Sequence, residues 1–195
     1  MNIAENLNRI VQAKSDIKTA IENKGVFVGD VTIDHYADKI DMISGAAGDE
    51  KIKLYDGICL SGSTWSTFDM GRYDWSNVHD WGSMFEGCDN LKTLENIPKN
   101  TMTVSMEKMF RDCSKLESID LSSWDTSNVT DMGYMFWGCV KLLEVRMYGD
   151  VSKVTNVLGM FNLIAANGTF YYNPQYDYSK IIAVLPSSWA AVPME

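Results

Sequence analysis

The chain has 195 residues, and its composition, 46% hydrophobic and 22% charged, is that of an ordinary folded protein. The chain has 26 acidic and 17 basic residues and therefore a net charge of -9. This negative charge makes a nucleic-acid backbone an unfavourable partner. No apolar run reaches the roughly 18 residues that a membrane-spanning helix needs, so membrane insertion is not expected.

The first 43 residues carry a helical pattern. Apolar residues recur at heptad positions with one lysine among them: Ile3, Leu7, Ile10, Lys14, Ile17 and Ile21. So narrow a stripe is typical of helices that associate with one another. Residues 1–43 are therefore predicted to be a helical oligomerisation segment, and residues 44–50, "SGAAGDE", a linker. The alternative is a helical hairpin that packs on the end of the next domain.

From residue 51 the sequence repeats with a period of 25 or 26 residues. The dipeptide Met-Phe occurs at positions 84–85, 109–110, 135–136 and 160–161. Cysteine follows the methionine by four residues at Cys88, Cys113 and Cys139, and a leucine follows each cysteine by three. Repeats of this length cannot bury their apolar side alone, so they stack into a solenoid. Residues 51–170 are predicted to form about four coils, and residues 171–195 a C-terminal cap.

A polar segment separates the apolar parts of the coils. In three coils an aspartate precedes a serine by two residues: Asp74 and Ser76, Asp125 and Ser127, Asp150 and Ser152. Aspartate in this setting accepts a hydrogen bond from the backbone two residues on, which predicts a turn. Calcium binding and paired carboxylates for glycoside hydrolysis are alternatives, but recurrence at turn positions favours a structural role.

Two resemblances follow from these motifs. The stretch "SSWDTSNVTDMGYMFWGCVKLLEV" resembles the BspA-type leucine-rich repeat, over about residues 57–173. This resemblance implies a binding or display scaffold, and the family carries no catalytic motif to transfer. The segment "NLNRIVQAKSDIKTAIENKGVFVGDVTIDHYADKIDMI" is similar to a helical module near the start of phage tail, fibre and baseplate proteins. The expected fold class is α+β: an N-terminal helical segment, then a leucine-rich-repeat-like solenoid and its cap.

The cysteines are the first candidates for chemistry. Zinc sites use cysteine pairs two to four residues apart or histidine partners, whereas these cysteines recur once per coil. Buried thiols in the core are therefore predicted, without metal or disulfide. The sequence also lacks the motifs of serine hydrolases, P-loop proteins and dinucleotide-binding enzymes. A non-enzymatic protein without a cofactor is expected.

Three tryptophans next to the turns, Trp75, Trp124 and Trp137, are candidates for an exposed binding surface. The alternative is that they pack at the edges of the stack. The amino terminus lacks the pattern of a signal peptide, which favours a protein that assembles in the cytoplasm of a bacterial host.

The predicted function is a phage virion structural protein, such as a fibre, tail or capsid decoration protein. It would be a homo-oligomer, with a trimer expected, that attaches to other virion proteins through its N-terminal helices. Its repeat surface would bind a host protein or glycan. The alternative is a bacterial BspA-like surface adhesin or protein-interaction repeat protein.

Overall fold

The computed structural model describes residues 52–55, 60, 62–63, 65–98 and 103–194. The chain divides into two compact units, Met1–Glu50 and Lys51–Glu195, and all described residues belong to the second. The predicted helical segment 1–43 and the linker 44–50 therefore lie outside the described residues.

The elements are short. The described residues form eight strands: β1 Ile52–Tyr55, β2 Thr67–Asp69, β3 Tyr73–Asn77, β4 Thr93–Glu95, β5 Ser118–Leu121, β6 Glu144–Met147, β7 Thr169–Tyr172 and β8 Ala190–Pro193. The described part of the chain has two helical elements, a 3-10 turn at Met70–Arg72 and the four-residue helix α1, Ser179–Ile182. Neither has the length and apolar character to cross a membrane.

All strand pairs among the described residues are parallel, and each pair joins strands of different coils. Strand β2 pairs with β4, β1 pairs with β3, and the largest sheet has the order β5, β6, β7, β8. In this sheet Ser118 lies beside Glu144, Glu144 beside Thr169, and Thr169 beside Ala190. The chain therefore winds about five times around one core, with strand β8 at the edge of the largest sheet.

The α+β fold class predicted from the sequence is wrong. The described residues form a parallel β-solenoid that is mostly strand and turn, with almost no helix. Two features explain the error. The return segments of the coils are runs of tight turns, and β8, which lacks the Met-Phe signature, adds a further turn to the stack.

The return segments are turned by residues in the left-handed conformation. One row of such residues immediately precedes the methionines: Ser83, Lys108, Tyr134 and Gly159, with φ from 55° to 62°. A second row immediately precedes the cysteine position of the repeat, which is isoleucine in the last copy: Gly87, Asp112, Gly138 and Leu163. Between the rows, the Phe110 N–H donates to the Met135 carbonyl (2.9 Å) and the Phe136 N–H to the Met160 carbonyl (3.0 Å). The next coil thus satisfies backbone groups that a helix would pair internally.

Much of the core consists of identical side chains stacked on one another. The phenylalanine rings stack at centroid distances of 5.5, 5.8 and 5.6 Å along the series Phe85, Phe110, Phe136 and Phe161. Leu116 and Leu142 are both fully buried beside the paired strands β5 and β6. The predicted sharing of one core by equivalent leucines is therefore confirmed.

The predicted aspartate turns are also confirmed. The N–H groups of Ser76, Ser127 and Ser152 donate to Asp74, Asp125 and Asp150 at 3.0, 3.0 and 2.8 Å. The structure adds a second row of such turns, whose accepting side chains belong to Asp80, Ser105, Asp131 and Asn156. Parallel bridges join these four residues from coil to coil, so polar turns as well as apolar side chains are in register.

Replacing one phenylalanine of the stack should be costly. We expect Phe136→Ala to lower the free energy of unfolding by about 3–5 kcal/mol, because its ring is fully buried between two others and would leave a cavity. Urea unfolding measures this loss. The exposed Lys141→Ala is the control and should change the free energy by less than about 0.5 kcal/mol. Equal losses in the two variants would contradict the assigned core.

Candidate binding site

Two outward rows of side chains run across the return segments of successive coils. The first consists of the left-handed residues Ser83, Lys108, Tyr134 and Gly159. The second lies three residues further along each coil and consists of Glu86, Arg111, Trp137 and Asn162. We call these eight residues the variable face. The inward Met and Phe positions hold the same residue in the four coils that carry this dipeptide, whereas the variable face differs at each of these coils.

The variable face contains a cavity. Lys108, Arg111, Tyr134 and Trp137 line a partly open space of about 300 Å³, at the lower end of the range for small-molecule sites. The two cationic residues belong to one coil and the two aromatic residues to the next. The register of the stack places both pairs side by side.

Acidic neighbours hold the cations in place. Nη1 of Arg111 lies 3.2 Å from Oε1 of Glu86, and its Nε lies 3.4 Å from Oδ2 of Asp112. Nζ of Lys108 lies 2.6 Å from Oε1 of Glu107, which raises the pKa of the lysine. The two cations are thus paired with three carboxylates, so the positive charge beside the cavity is compensated. The hydrogen-bonding groups of these side chains remain next to the cavity.

The aromatic rings are held as well. The guanidinium carbon of Arg111 lies 4.8 Å from the centre of the Trp137 ring, a cation–π contact. The Tyr134 ring packs against the backbone of Gly159, where an added Cβ would lie 2.8 Å from Cε1 of the tyrosine. A side chain at position 159 would therefore have to displace the tyrosine ring, although Ser83 and Lys108 adopt the same left-handed conformation in other coils.

A comparison with protein families bears on this arrangement. Residues 60–170, more than half of the chain, match the model of a family described as "Mycoplasma protein of unknown function, DUF285". The chain belongs to the DUF285 family. No curated protein and no solved structure matches it.

The DUF285 match and the stacked coils confirm the predicted repeat solenoid. The matched range includes the whole cavity. The similarity to a phage helical module concerns residues outside both the match and the described part of the chain, and no finding supports it. The predicted oligomerisation residues, Ile3, Leu7, Ile10, Lys14, Ile17 and Ile21, also lie outside the described residues.

The three candidate tryptophans of the DUF285 chain are not together. Trp75 and Trp124 are only 5% and 2% exposed, and both pack on Trp81 with ring centroids 4.8 and 4.6 Å apart. They belong to the core and cannot form an exposed row. Trp137 is partly exposed and lines the cavity.

Sequence reasoning missed the three residues that accompany Trp137 in the cavity, Lys108, Arg111 and Tyr134. The usable signal was the difference between positions that repeat in every coil and positions that do not. Tyr134 and Trp137 stand at positions that change from coil to coil, and neither is fully buried.

The cysteines of the DUF285 repeats are buried thiols, as predicted. Each Sγ donates to a backbone carbonyl 28 or 29 residues earlier: Cys88 to Leu60, Cys113 to Phe85 and Cys139 to Phe110, at 3.2, 3.1 and 3.0 Å. Burial raises the pKa of Cys139 to about 12 and that of Cys113 well above its usual value. Within the described residues, no group of three or more acidic, histidine or cysteine side chains could hold a metal ion.

Alkaline pH should destabilise the fold through Cys139. Its thiol has a pKa of about 12 in the folded chain and 9.0 when unperturbed. Between these values the unfolded state binds fewer protons, so the free energy of unfolding falls as pH rises, by at most about 1.4 kcal/mol per pH unit for one thiol. Below pH 9 this contribution is fully present. Urea unfolding with a reductant, at one pH below and one above the unperturbed pKa, measures the fall.

The matched variant is Cys139→Ala, which lacks the titrating thiol. Below the unperturbed pKa the variant should be less stable than the native chain. Over the first pH unit above that pKa, its free energy of unfolding should fall by about 1 kcal/mol less than that of the native chain. Cys113 and Tyr178, whose pKa values burial also raises, act in the same direction in both proteins. An identical fall in the native chain and the variant would contradict the assignment.

Proposed function

We propose that this chain is a non-enzymatic surface repeat protein that binds a partner through the variable face. One observation carries the proposal: the inward Met and Phe positions are the same in four successive coils, while the outward positions of the same segments change. Stacked repeats form continuous surfaces that repeat proteins use for binding. The coils hold Lys108, Arg111, Tyr134 and Trp137 together without using any of them in the core.

Two observations support a role without catalysis. The cysteines are the strongest nucleophiles of the described residues, and burial keeps Cys113 and Cys139 in the weakly nucleophilic thiol form. The aspartates that recur along the chain accept backbone hydrogen bonds within their own turns. Their repetition therefore follows from the turn geometry and needs no catalytic explanation.

Two settings suit such a protein. The first is a bacterial surface, where a BspA-like adhesin or protein-interaction repeat protein would work, and membership of DUF285 supports this setting. The second is a phage virion, to which residues 1–43 would attach the chain as a homo-oligomer. The heptad pattern of those residues is the observation that favours it.

Binding to intact cells tests the proposed function. The fluorescently labelled full chain should bind to some members of a panel of bacterial and animal epithelial cells in flow cytometry. Lys108→Ala combined with Trp137→Ala should reduce this binding at least about tenfold, because aromatic and cationic anchors dominate binding sites. Tyr176→Ala, an exposed aromatic outside the cavity, is the control and should bind as the native chain does. Absence of cell binding, or equal binding by the double variant, would contradict the proposal.

The oligomeric state tests the virion setting. The full chain should be a homo-oligomer, with a trimer expected, and a chain that starts at Gly48 should be monomeric in light scattering. Ile10→Glu should dissociate the full chain because it places a charge in the apolar seam, whereas Asn8→Glu, outside the seam, should not. A monomeric full chain at roughly tens of micromolar would remove the support for anchoring through residues 1–43.

A further inference from the structure

The aromatic side chains of the cavity form a preorganised surface. Arg111 covers one part of the Trp137 ring, and Gly159 supports the ring of Tyr134. Both aromatic residues remain partly exposed and line the same space. A ligand that stacks on rings already held in place has little side-chain entropy to overcome. The cavity therefore favours a ligand with a compact apolar face.

Hydrogen-bonding groups surround that surface. Lys108 and Arg111 provide N–H donors, and the Tyr134 hydroxyl both donates and accepts. Glu86, paired with Arg111 on the variable face, adds acceptor oxygens. A wholly apolar ligand would leave these groups without partners, which costs free energy. The ligand must therefore combine its apolar face with a rim of polar groups.

Charge decides between the remaining ligand classes. An anion would approach two cations that are already paired with three carboxylates, on a chain with net charge -9. It would have to break those ion pairs and would be repelled by the acids. A cationic ligand would meet Lys108 and Arg111, which line the cavity itself. An uncharged ligand avoids both penalties.

From these constraints we infer that the cavity binds a neutral carbohydrate. This inference rests on the proposed binding function and names its ligand class. The C–H face of a sugar ring stacks on Trp137 or Tyr134, and its hydroxyl groups hydrogen-bond to Lys108, Arg111 and Glu86. A volume of about 300 Å³ accepts a single sugar unit rather than a segment of folded protein. Neighbouring units of an oligosaccharide lie along the variable face towards Asn162.

Calorimetric titration of the full chain with neutral oligosaccharides tests the inference. The probes are hexamers of glucose, N-acetylglucosamine, mannose and galactose, with oligogalacturonate as the acidic comparison. At least one neutral hexamer should bind with a Kd of about 1 mM or lower. The sugar is uncharged, and Lys108 and Arg111 are already paired with carboxylates. Raising the salt concentration tenfold should therefore change this Kd less than about twofold.

Variants locate the binding. Trp137→Ala and Tyr134→Ala should each raise the Kd at least about tenfold, and Tyr176→Ala should leave it unchanged. Circular dichroism and the thermal midpoint establish that each variant is folded. Lys108→Gln, which removes a charge and keeps most of the side chain, provides a second test if an aromatic variant does not fold. It should weaken binding severalfold by removing a hydrogen-bond donor.

Three outcomes would overturn the inference. They are the absence of binding by every neutral hexamer at about 10 mM, preferential and salt-sensitive binding of oligogalacturonate, and neutral binding that the cavity variants leave unchanged. If the first occurs while the full chain still binds cells through the cavity, the proposed function stands and its partner is a protein. Failure of both measurements would remove the proposed function as well.

Discussion

The solenoid depends on the hydrogen bonds that join each return segment to the next coil. Lys108, Phe110 and Asp112 donate through their N–H groups to the carbonyls of residues 133, 135 and 137, at 2.9, 2.9 and 2.7 Å. Two of these donors, Lys108 and Asp112, are non-glycine residues in the left-handed conformation, which costs about 1 kcal/mol or more each. Repeated inter-coil hydrogen bonds of about 1 kcal/mol each offset that cost. A single coil has no such partner, which explains why the unit occurs as a stack.

This pairing also separates the two sides of every coil. Because equivalent backbone atoms lie beside one another, an inward phenylalanine contacts its copies in the neighbouring coils, as the parallel rings of Phe85, Phe110 and Phe136 do. The phenylalanine position accepts few alternatives, since a different shape would interrupt the stack of rings. The outward positions carry no such restriction, and the variable face can change its chemistry without altering the fold. The cavity therefore arises where two differing coils meet.

The repeat unit was readable from the sequence, but the backbone path was not. Identical residues at one spacing predicted the stacked core, the buried thiols and the aspartate turns. The left-handed position before each methionine had no recognisable signal, because it is occupied by serine, lysine, tyrosine and glycine in turn. Inter-coil pairing, rather than residue preference, imposes that conformation. Trp75 and Trp124 were wrongly predicted to be exposed because the turns beside them are polar. Their rings in fact pack on Trp81. The cavity could not be predicted without knowing which side chains of adjacent coils are neighbours.

The outer edge of strand β8 has a built-in protection against aggregation. The N–H groups of Ala190 and Met194 donate inward to Gly168 and Tyr172 of the preceding coil, at 2.9 and 2.8 Å. Alternation along the strand therefore puts the nitrogen of Pro193 on the outward side, where a proline breaks no existing hydrogen bond. The same proline withholds a donor from any foreign strand that approaches this edge. The sheet can thus end at a short strand without offering a complete template for another chain to extend.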